Sequence, residues 1–131
     1  MAKILDYSDF YEKCLEGSIS FDDLFWYFDT FLPNKFFYDT FSVASVQEKG
    51  YTFEALRHED ERNIQIVIDL HVDDKGTLNF VERRYLYGDG CEDNKLYASG
   101  LTVSLSARKT AGRDKFWKHI EKLVQDKEKV C

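Results

Sequence analysis

The segment from Asn63 to Tyr87 constrains the fold most strongly, because its hydrophobic pattern has one reasonable interpretation, a β-hairpin. Aliphatic residues alternate with polar ones through its first half, at Ile64, Ile66, Ile68, Leu70 and Val72. This two-residue period is typical of a strand that buries one face. The polar sequence Asp73-Asp74-Lys75-Gly76 breaks the pattern, and a second apolar run from Leu78 to Tyr87 supplies the returning strand.

The register of this hairpin makes a specific prediction about two charged residues. A three-residue loop, Asp74-Lys75-Gly76, with Gly76 in the left-handed conformation places Glu82 and Arg84 on the aliphatic face. The predicted pairs are Val72 with Leu78, Leu70 with Phe80, Ile68 with Glu82, and Ile66 with Arg84. We favour a bulge near Val81 that turns both charges outward, because full burial of charge is costly. The alternative is that Glu82 and Arg84 pair with each other at the mouth of a pocket.

Two short helices are predicted before the first strand. Ser8 is a suitable N-cap for the first helix, and Gly17 is a suitable left-handed stop. The second helix begins at the capping-box sequence Ser20-Phe21-Asp22-Asp23 and ends before the single proline. Trp26 and Tyr27 fall beside or outside its apolar stripe, which indicates either a helix covered on two sides or an aromatic surface that faces a partner.

The remaining segments complete an antiparallel sheet and a final helix. Further strands are predicted from Thr40 to Gln47, Tyr51 to Arg57 and Tyr97 to Ala107. A helix from Ala111 to Glu128 carries an apolar stripe formed by Phe116, Ile120, Leu123 and Val124 and widened by Trp117. The sequence therefore predicts a single α+β domain over residues 1–131, with two N-terminal helices, an antiparallel meander of about five strands and a long C-terminal helix packed on the sheet.

Composition agrees with one aromatic-rich core in a cytoplasmic protein. Hydrophobic residues make up 44% of the chain and aromatic residues 16%, which is ample for a core at this length. No apolar run approaches the roughly 20 residues that span a bilayer, and acids appear too early for a signal peptide. Cys14, Cys91 and Cys131 are odd in number and widely spaced, so they indicate neither a disulfide framework nor a zinc motif.

Charge is distributed unevenly along the chain. Residues 1–105 contain 10 Lys or Arg and 20 Asp or Glu, a net charge of −10, whereas residues 106–131 contain 8 and 4, a net charge of +4. An acidic body repels nucleic acid and suits a partner with a basic surface. Small bacterial immunity proteins and phage-encoded inhibitors resemble this chain in acidic composition, which is an analogy of charge alone.

The first functional hypothesis is therefore a small acidic cytoplasmic binding or inhibitor protein that neutralises a basic protein partner. Its binding residues would be acids at predicted loop positions together with one aromatic residue: Glu59, Asp60, Glu61, Asp73, Asp74, Glu92, Asp93 and Trp26. Loop acids that meet a basic surface speed association and disfavour wrong partners. Under this hypothesis the protein needs no cofactor and no membrane.

Two alternatives belong to other functional classes. One is a ligand-binding domain or enzyme with a cavity between the sheet and the C-terminal helix, lined by aromatic residues including Trp117 and gated by Glu82 and Arg84. The other is nucleic-acid binding through the basic C-terminal helix, where Arg108, Lys109, Arg113, Lys115 and Lys118 cluster. Asp114 and the acidic body weaken this second alternative.

Motifs for catalysis or metal binding are not found in the sequence. His58, His71 and His119 do not have metal-ligand spacing, and no glycine-rich phosphate loop occurs. Asp69 and His71 lie two residues apart on one predicted strand face, roughly 6.5 Å along the strand, which is too far for a direct acid–base pair. These observations favour a protein without a metal, a cofactor or a catalytic role.

Overall fold

The computed structural model describes residues 6–59, 62–88, 95–106 and 112–128. In chain order its elements are helix α1 (Tyr7–Glu16), helix α2 (Phe21–Trp26), a π-helical segment (Tyr27–Phe31), strands β1 (Thr40–Gln47), β2 (Gly50–His58), β3 (Arg62–Val72), β4 (Thr77–Gly88) and β5 (Lys95–Ser106), and helix α3 (Arg113–Glu128). The strands form one antiparallel sheet in the order β1-β2-β3-β4-β5. The predicted α+β class, with helices before and after a five-stranded meander, is confirmed.

The central hairpin has the predicted register. Its pairs run without interruption from Arg62 with Gly88 to Val72 with Leu78. Gly76 has a φ of 78°, the left-handed conformation that the loop requires. The predicted bulge near Val81 is wrong, and the β3–β4 ladder carries Glu82 and Arg84 on the face that the helices cover.

Helix α1 ends at Gly17 as predicted but begins earlier, and the predicted second helix is divided, because α2 ends at Trp26 and continues as the π-helical segment to Phe31. Asp6 caps α1, because its carboxylate accepts a hydrogen bond from the backbone N–H of Asp9 at 3.0 Å. The prediction of Ser8 as N-cap is therefore wrong by two residues. Gly17 closes α1 with a φ of 73°, and Ser20 begins α2 with both hydrogen bonds of a capping box.

The turn between β1 and β2 brings two backbones unusually close. The second strand begins at Gly50, one residue before the predicted start at Tyr51. A Cβ atom at Gly50 would lie 2.4 Å from the carbonyl oxygen of Leu70 and 2.5 Å from the Cβ atom of His71. A residue with a Cβ atom at position 50 would clash with β3. Strand packing therefore requires glycine here, in addition to any requirement of the turn.

All the helices cover the same face of the sheet. Helix α1 contacts β5, α3 contacts β1, and α2 with the π-helical segment lies between them. Aromatic rings fill this layer: Phe10 stacks on Tyr27 with centroids 4.6 Å apart, and Phe28 packs edge-on against Phe53 at 5.1 Å and Phe116 at 6.0 Å. Tyr27 is completely buried because α1 and the sheet cover it together. The sequence predicted either a helix covered on two sides or an aromatic surface that faces a partner. The burial of Tyr27 agrees with coverage on two sides.

The opposite face of the sheet is polar. Asp69 accepts hydrogen bonds from the Thr52 hydroxyl at 2.8 Å and from the Arg83 guanidinium at 2.5 Å. His71 is exposed on the same strand, and Asp69 is engaged by these other partners. This face is an ordinary hydrogen-bonded surface, as the alternation of the strands predicts. Within the described ranges, no helix has the length and the apolar character needed to cross a membrane.

Candidate functional site

The side chain of Glu82 is buried in the middle of an otherwise apolar layer. It is 1% exposed, and its neighbours across the sheet are Ile68 on β3 and Leu101 on β5. An isolated charge in such a position is strongly unfavourable unless hydrogen bonds and an opposite charge compensate it. The surroundings of Glu82 must therefore supply donors.

Three side chains supply these donors. Oε1 of Glu82 accepts from the Tyr7 hydroxyl at 2.7 Å and from Nε of Arg84 at 2.8 Å. Oε2 accepts from the Tyr27 hydroxyl. Tyr7 is the first residue of α1 and Tyr27 the first of the π-helical segment, so the carboxylate joins both segments to β4. We name these four residues the Glu82 network.

The two phenols of the Glu82 network keep their protons well beyond neutral pH. Burial and the neighbouring Glu82 charge raise the pKa of Tyr7 and the pKa of Tyr27 far above the ordinary tyrosine value. A phenolate beside a carboxylate would bring two negative charges together in a poorly solvated place. Both hydroxyls therefore act as permanent donors to Glu82.

Two contacts hold the guanidinium of Arg84: a hydrogen bond from Nε at its edge and an aromatic ring against its planar face. Its Nε bonds to Glu82, and its central carbon lies 4.1 Å from the centroid of the Tyr7 ring. Burial opposes the charge of Arg84, but the adjacent Glu82 carboxylate outweighs this effect and raises the pKa of Arg84 above its ordinary value. Arg84 is therefore a fixed cation.

One nitrogen of this cation is unsatisfied. Nη2 of Arg84 is shielded from solvent and has no hydrogen-bond partner among the described residues. The side chain as a whole remains 29% exposed. A buried charged donor without an acceptor costs free energy, and because this nitrogen is shielded from solvent a molecule in the neighbouring space does not reach it directly.

Arg84 lines a cleft of about 270 Å³ at one end of the sheet. The cleft lies between the sheet and the aromatic N-terminal region, and its lining residues are Tyr7, Phe31, Phe37, Tyr38, Arg57, Ile64, Ile66 and Arg84. Burial raises the pKa of the Tyr38 hydroxyl to about 12, with Arg84 opposing this effect. We name this space the Arg84 cleft. Its walls are mostly apolar, and its charged groups are two arginines.

Arg57 stands at the more open side of the Arg84 cleft. Its side chain is 48% exposed, and its Nε lies 3.8 Å from a carboxylate oxygen of Glu59. Glu59 is shared, because Nε of Arg62 bonds to its other oxygen at 3.2 Å. The Glu59 carboxylate therefore serves two arginines and neutralises neither completely.

The cleft differs in position from the cavity predicted beside the C-terminal helix. Trp117 does not line it; its ring packs edge-on against Phe116 with centroids 5.2 Å apart. Phe116, Ile120 and Val124 of the apolar stripe of α3 are all buried. Glu82 and Arg84 pair with each other, as the alternative to a bulge predicted. Arg84 lies in the wall of the cleft, whereas Glu82 is not part of its lining.

The predicted partner-binding acids that the structure describes have local partners. Glu59 pairs with arginines, and Asp73 accepts from the backbone N–H groups of Lys75 at 2.9 Å and Thr77 at 3.0 Å. These bonds to Thr77 and Lys75 lower the pKa of Asp73. Asp74 is 95% exposed and lies 3.0 Å from Nζ of Lys49. Asp60, Glu61, Glu92 and Asp93 lie outside the described residues.

The aromatic and basic candidates also have packing roles. Trp26 is half-buried and stacks on Phe31 with centroids 5.7 Å apart. On α3, Nη2 of Arg113 lies 3.1 Å from Asp114, and the ammonium of Lys115 lies 4.6 Å from the centre of the Phe25 ring. Lys118 is exposed, whereas Arg108 and Lys109 lie outside the described residues.

Sequence reasoning missed the tyrosines and Arg57 as members of one site. The available signal was the pair of charges on the aliphatic face, since buried charges require donors. Tyr7 and Tyr27 lie 75 and 55 residues from Glu82 along the chain, and no local pattern connects positions so far apart.

Other kinds of site have less support in the described part of the chain. There, no group of three or more His, Cys, Asp or Glu side chains is arranged to hold a metal ion. Comparison of the whole chain with protein-family models, curated proteins and solved structures found no match.

Proposed function

We propose that this protein binds a small organic molecule in the Arg84 cleft. The observation that carries the proposal is a fixed, partly exposed guanidinium in the wall of a mostly apolar concavity. Ligand sites typically combine apolar walls with a few well-placed polar groups. The volume of about 270 Å³ lies near the lower end of the usual range, which suits a ligand of one or two rings.

The Glu82 network supports this proposal by holding Arg84 in place before any ligand arrives. Arginine loses rotamer freedom when a ligand immobilises it, and that loss opposes binding. Here Nε is already bonded to Glu82 and the guanidinium already faces the Tyr7 ring. A ligand would therefore meet a pre-organised cation.

The same groups favour binding over catalysis. General acid–base catalysis at neutral pH needs a group whose pKa lies near the working pH. The pKa values of Tyr7 and Tyr38 are raised away from that range, and Arg84 stays charged. Both oxygens of Glu82 are already engaged by donors.

The proposal is tested by screening compounds of one or two rings against the isotope-labelled protein by NMR. Bound compounds are expected to shift the backbone resonances of Arg57, Ile64, Ile66 and Arg84, which line the Arg84 cleft. Resonance changes scattered over other surfaces, or no binding at up to about 1 mM, would contradict the proposal.

A pair of neighbouring phenylalanines provides a matched control for this screen. Both side chains are exposed, but Phe37 lines the cleft and Phe36 does not. Phe37→Ala is expected to weaken binding of any compound found, whereas Phe36→Ala should leave it unchanged. Equal effects of the two substitutions would place the compound outside the cleft.

A second candidate function is binding of a basic protein partner through the acidic surface. The observation that favours it is the exposure of Asp74 at the tip of the central hairpin, in a chain with a net charge of −6. Capture from native lysate at low salt is expected to fall in Asp74→Lys and to persist in Asp126→Lys, which changes the net charge equally on exposed α3. Equal capture by both variants would contradict a role for this loop.

A further inference from the structure

Building on the proposed function, we infer that the ligand of the Arg84 cleft is an organic monoanion, a carboxylate attached to an aromatic or aliphatic body. The inference rests on the juxtaposition of the partly exposed guanidinium of Arg84, the second cation Arg57 and the apolar cleft walls.

The first step concerns the unused hydrogen-bonding edge of Arg84. A guanidinium presents several N–H donors in a planar fork that matches a carboxylate. Glu82 takes the donor on Nε, and the face lies against Tyr7, so neither contact occupies Nη2. A ligand carboxylate would bind the part of the guanidinium that faces the cleft, since the Arg84 side chain as a whole is 29% exposed.

The second step concerns local charge. Among the described residues that line the cleft, the charged ones are two cations, Arg57 and Arg84. Their carboxylate partners, Glu59 and Glu82, pair with them from outside that lining. The neighbouring cleft of about 290 Å³ has one residue of each sign in its lining, Lys35 and Asp39. A ligand that enters the Arg84 cleft would therefore meet two cations and no described carboxylate.

The third step concerns the rest of the ligand. Phe37 is exposed and Tyr7 and Ile64 are half-buried, so these three lining residues offer aromatic and aliphatic surface, whereas Phe31 and Ile66 are almost fully covered. Inorganic phosphate or sulfate would leave this surface without a partner. An aromatic ring or short aliphatic chain would bury it while the carboxylate reaches the arginines.

The test compares acids with their neutral amides, which have nearly the same size and shape. Suitable probe pairs are phenylpropionate with phenylpropionamide and indoleacetate with indoleacetamide, each titrated into the full-length protein by calorimetry and NMR. A hydrogen bond to a charged group predicts that the acid binds about 10- to 100-fold more tightly than its amide. The preference should disappear when Arg57 or Arg84 is altered.

The variants are chosen so that folding and binding are separable. Arg57→Gln alters an exposed side chain, and Arg84→Lys keeps the charge while losing the planar fork. Arg83→Gln is the matched control, because Arg83 is adjacent on β4 but bonds to Asp69 on the opposite face. We expect Arg57→Gln and Arg84→Lys to lose most of the acid preference and Arg83→Gln to retain it. If Arg84→Lys fails to fold, Arg57→Gln still tests the inference.

The outcomes separate this inference from the proposed function. Equal affinity of acid and amide for the cleft would overturn the anionic ligand while leaving the cleft as a binding site. Retention of the acid preference in Arg57→Gln and Arg84→Lys would also overturn it. Failure of every acid and amide to bind at up to about 1 mM would overturn the inference and the proposed function together.

Discussion

Removing the hydroxyl of Tyr27 is expected to destabilise the protein more than removing the hydroxyl of Tyr7. Tyr27 is the described donor to Oε2 of Glu82, whereas Oε1 has two donors, Tyr7 and Arg84. Tyr27→Phe therefore leaves one buried carboxylate oxygen without its partner. Tyr7→Phe leaves Oε1 still bonded to Arg84.

The magnitudes follow from this difference. A hydrogen bond to a charged group contributes about 1.5–3 kcal/mol, and an orphaned buried acceptor also loses its solvation. We expect Tyr27→Phe to lower the free energy of unfolding by about 2–3 kcal/mol and Tyr7→Phe by about 1 kcal/mol. Both changes remove one oxygen and keep the ring, so packing losses are small and similar.

Urea unfolding measures both effects, with the slope of the transition checking that the unfolded state is unchanged. Combining Tyr27→Phe with Glu82→Gln should shrink the effect of the tyrosine change, because the charged acceptor is then absent. Equal losses for the two tyrosine variants, or a larger loss for Tyr7→Phe, would refute the assignment of donors to the Glu82 network.

Three further predictions concern the core, the hairpin loop and the buried thiol. Ile120→Ala should lower the free energy of unfolding by about 2–5 kcal/mol, because Ile120 is fully buried. The control Glu121→Ala, at an exposed position, should change it by less than about 0.5 kcal/mol. Thermal and urea unfolding measure both values. Asp73→Ala should destabilise the fold and Asp74→Ala should not. Because the pKa of Asp73 is lowered in the folded state, its stabilising contribution is present above the ordinary aspartate pKa and is lost as the pH falls through the folded-state pKa. The free energies of unfolding of the two variants, measured at decreasing pH, should therefore converge. Burial raises the pKa of Cys14 to about 12, so its thiol should be alkylated much more slowly in native protein than in urea. Peptide mass spectrometry measures both alkylation rates, and equal rates would contradict the burial of Cys14.

The fold was predictable because its strongest signals are local. Alternation in β3, the left-handed Gly76 and the capping box at Ser20 each involve residues close in sequence. The predicted register even placed Glu82 opposite Ile68 correctly. The favoured bulge was wrong because it assumed that no donors would reach a charge on this face.

The site was less predictable because it depends on contacts between distant residues. The unbulged register places Glu82 on the aliphatic face, but the sequence does not indicate that Tyr7 and Tyr27 will meet it there. It also indicates that Asp73 and Glu59 lie at strand ends, without showing that backbone N–H groups or arginines already engage them. A charge in a loop predicts exposure but not availability to a partner.

Tyr7 belongs to both the Glu82 network and the wall of the Arg84 cleft, so the proposed ligand would couple its binding to the folding of α1. Local unfolding of α1 would remove a donor from Glu82, the ring beneath Arg84 and part of the cleft in one event. A ligand held in the cleft must therefore suppress this opening in proportion to its affinity and concentration. Slower amide hydrogen exchange along α1 would therefore report binding of the proposed ligand, although Tyr7 is the residue of α1 named among those that line the cleft.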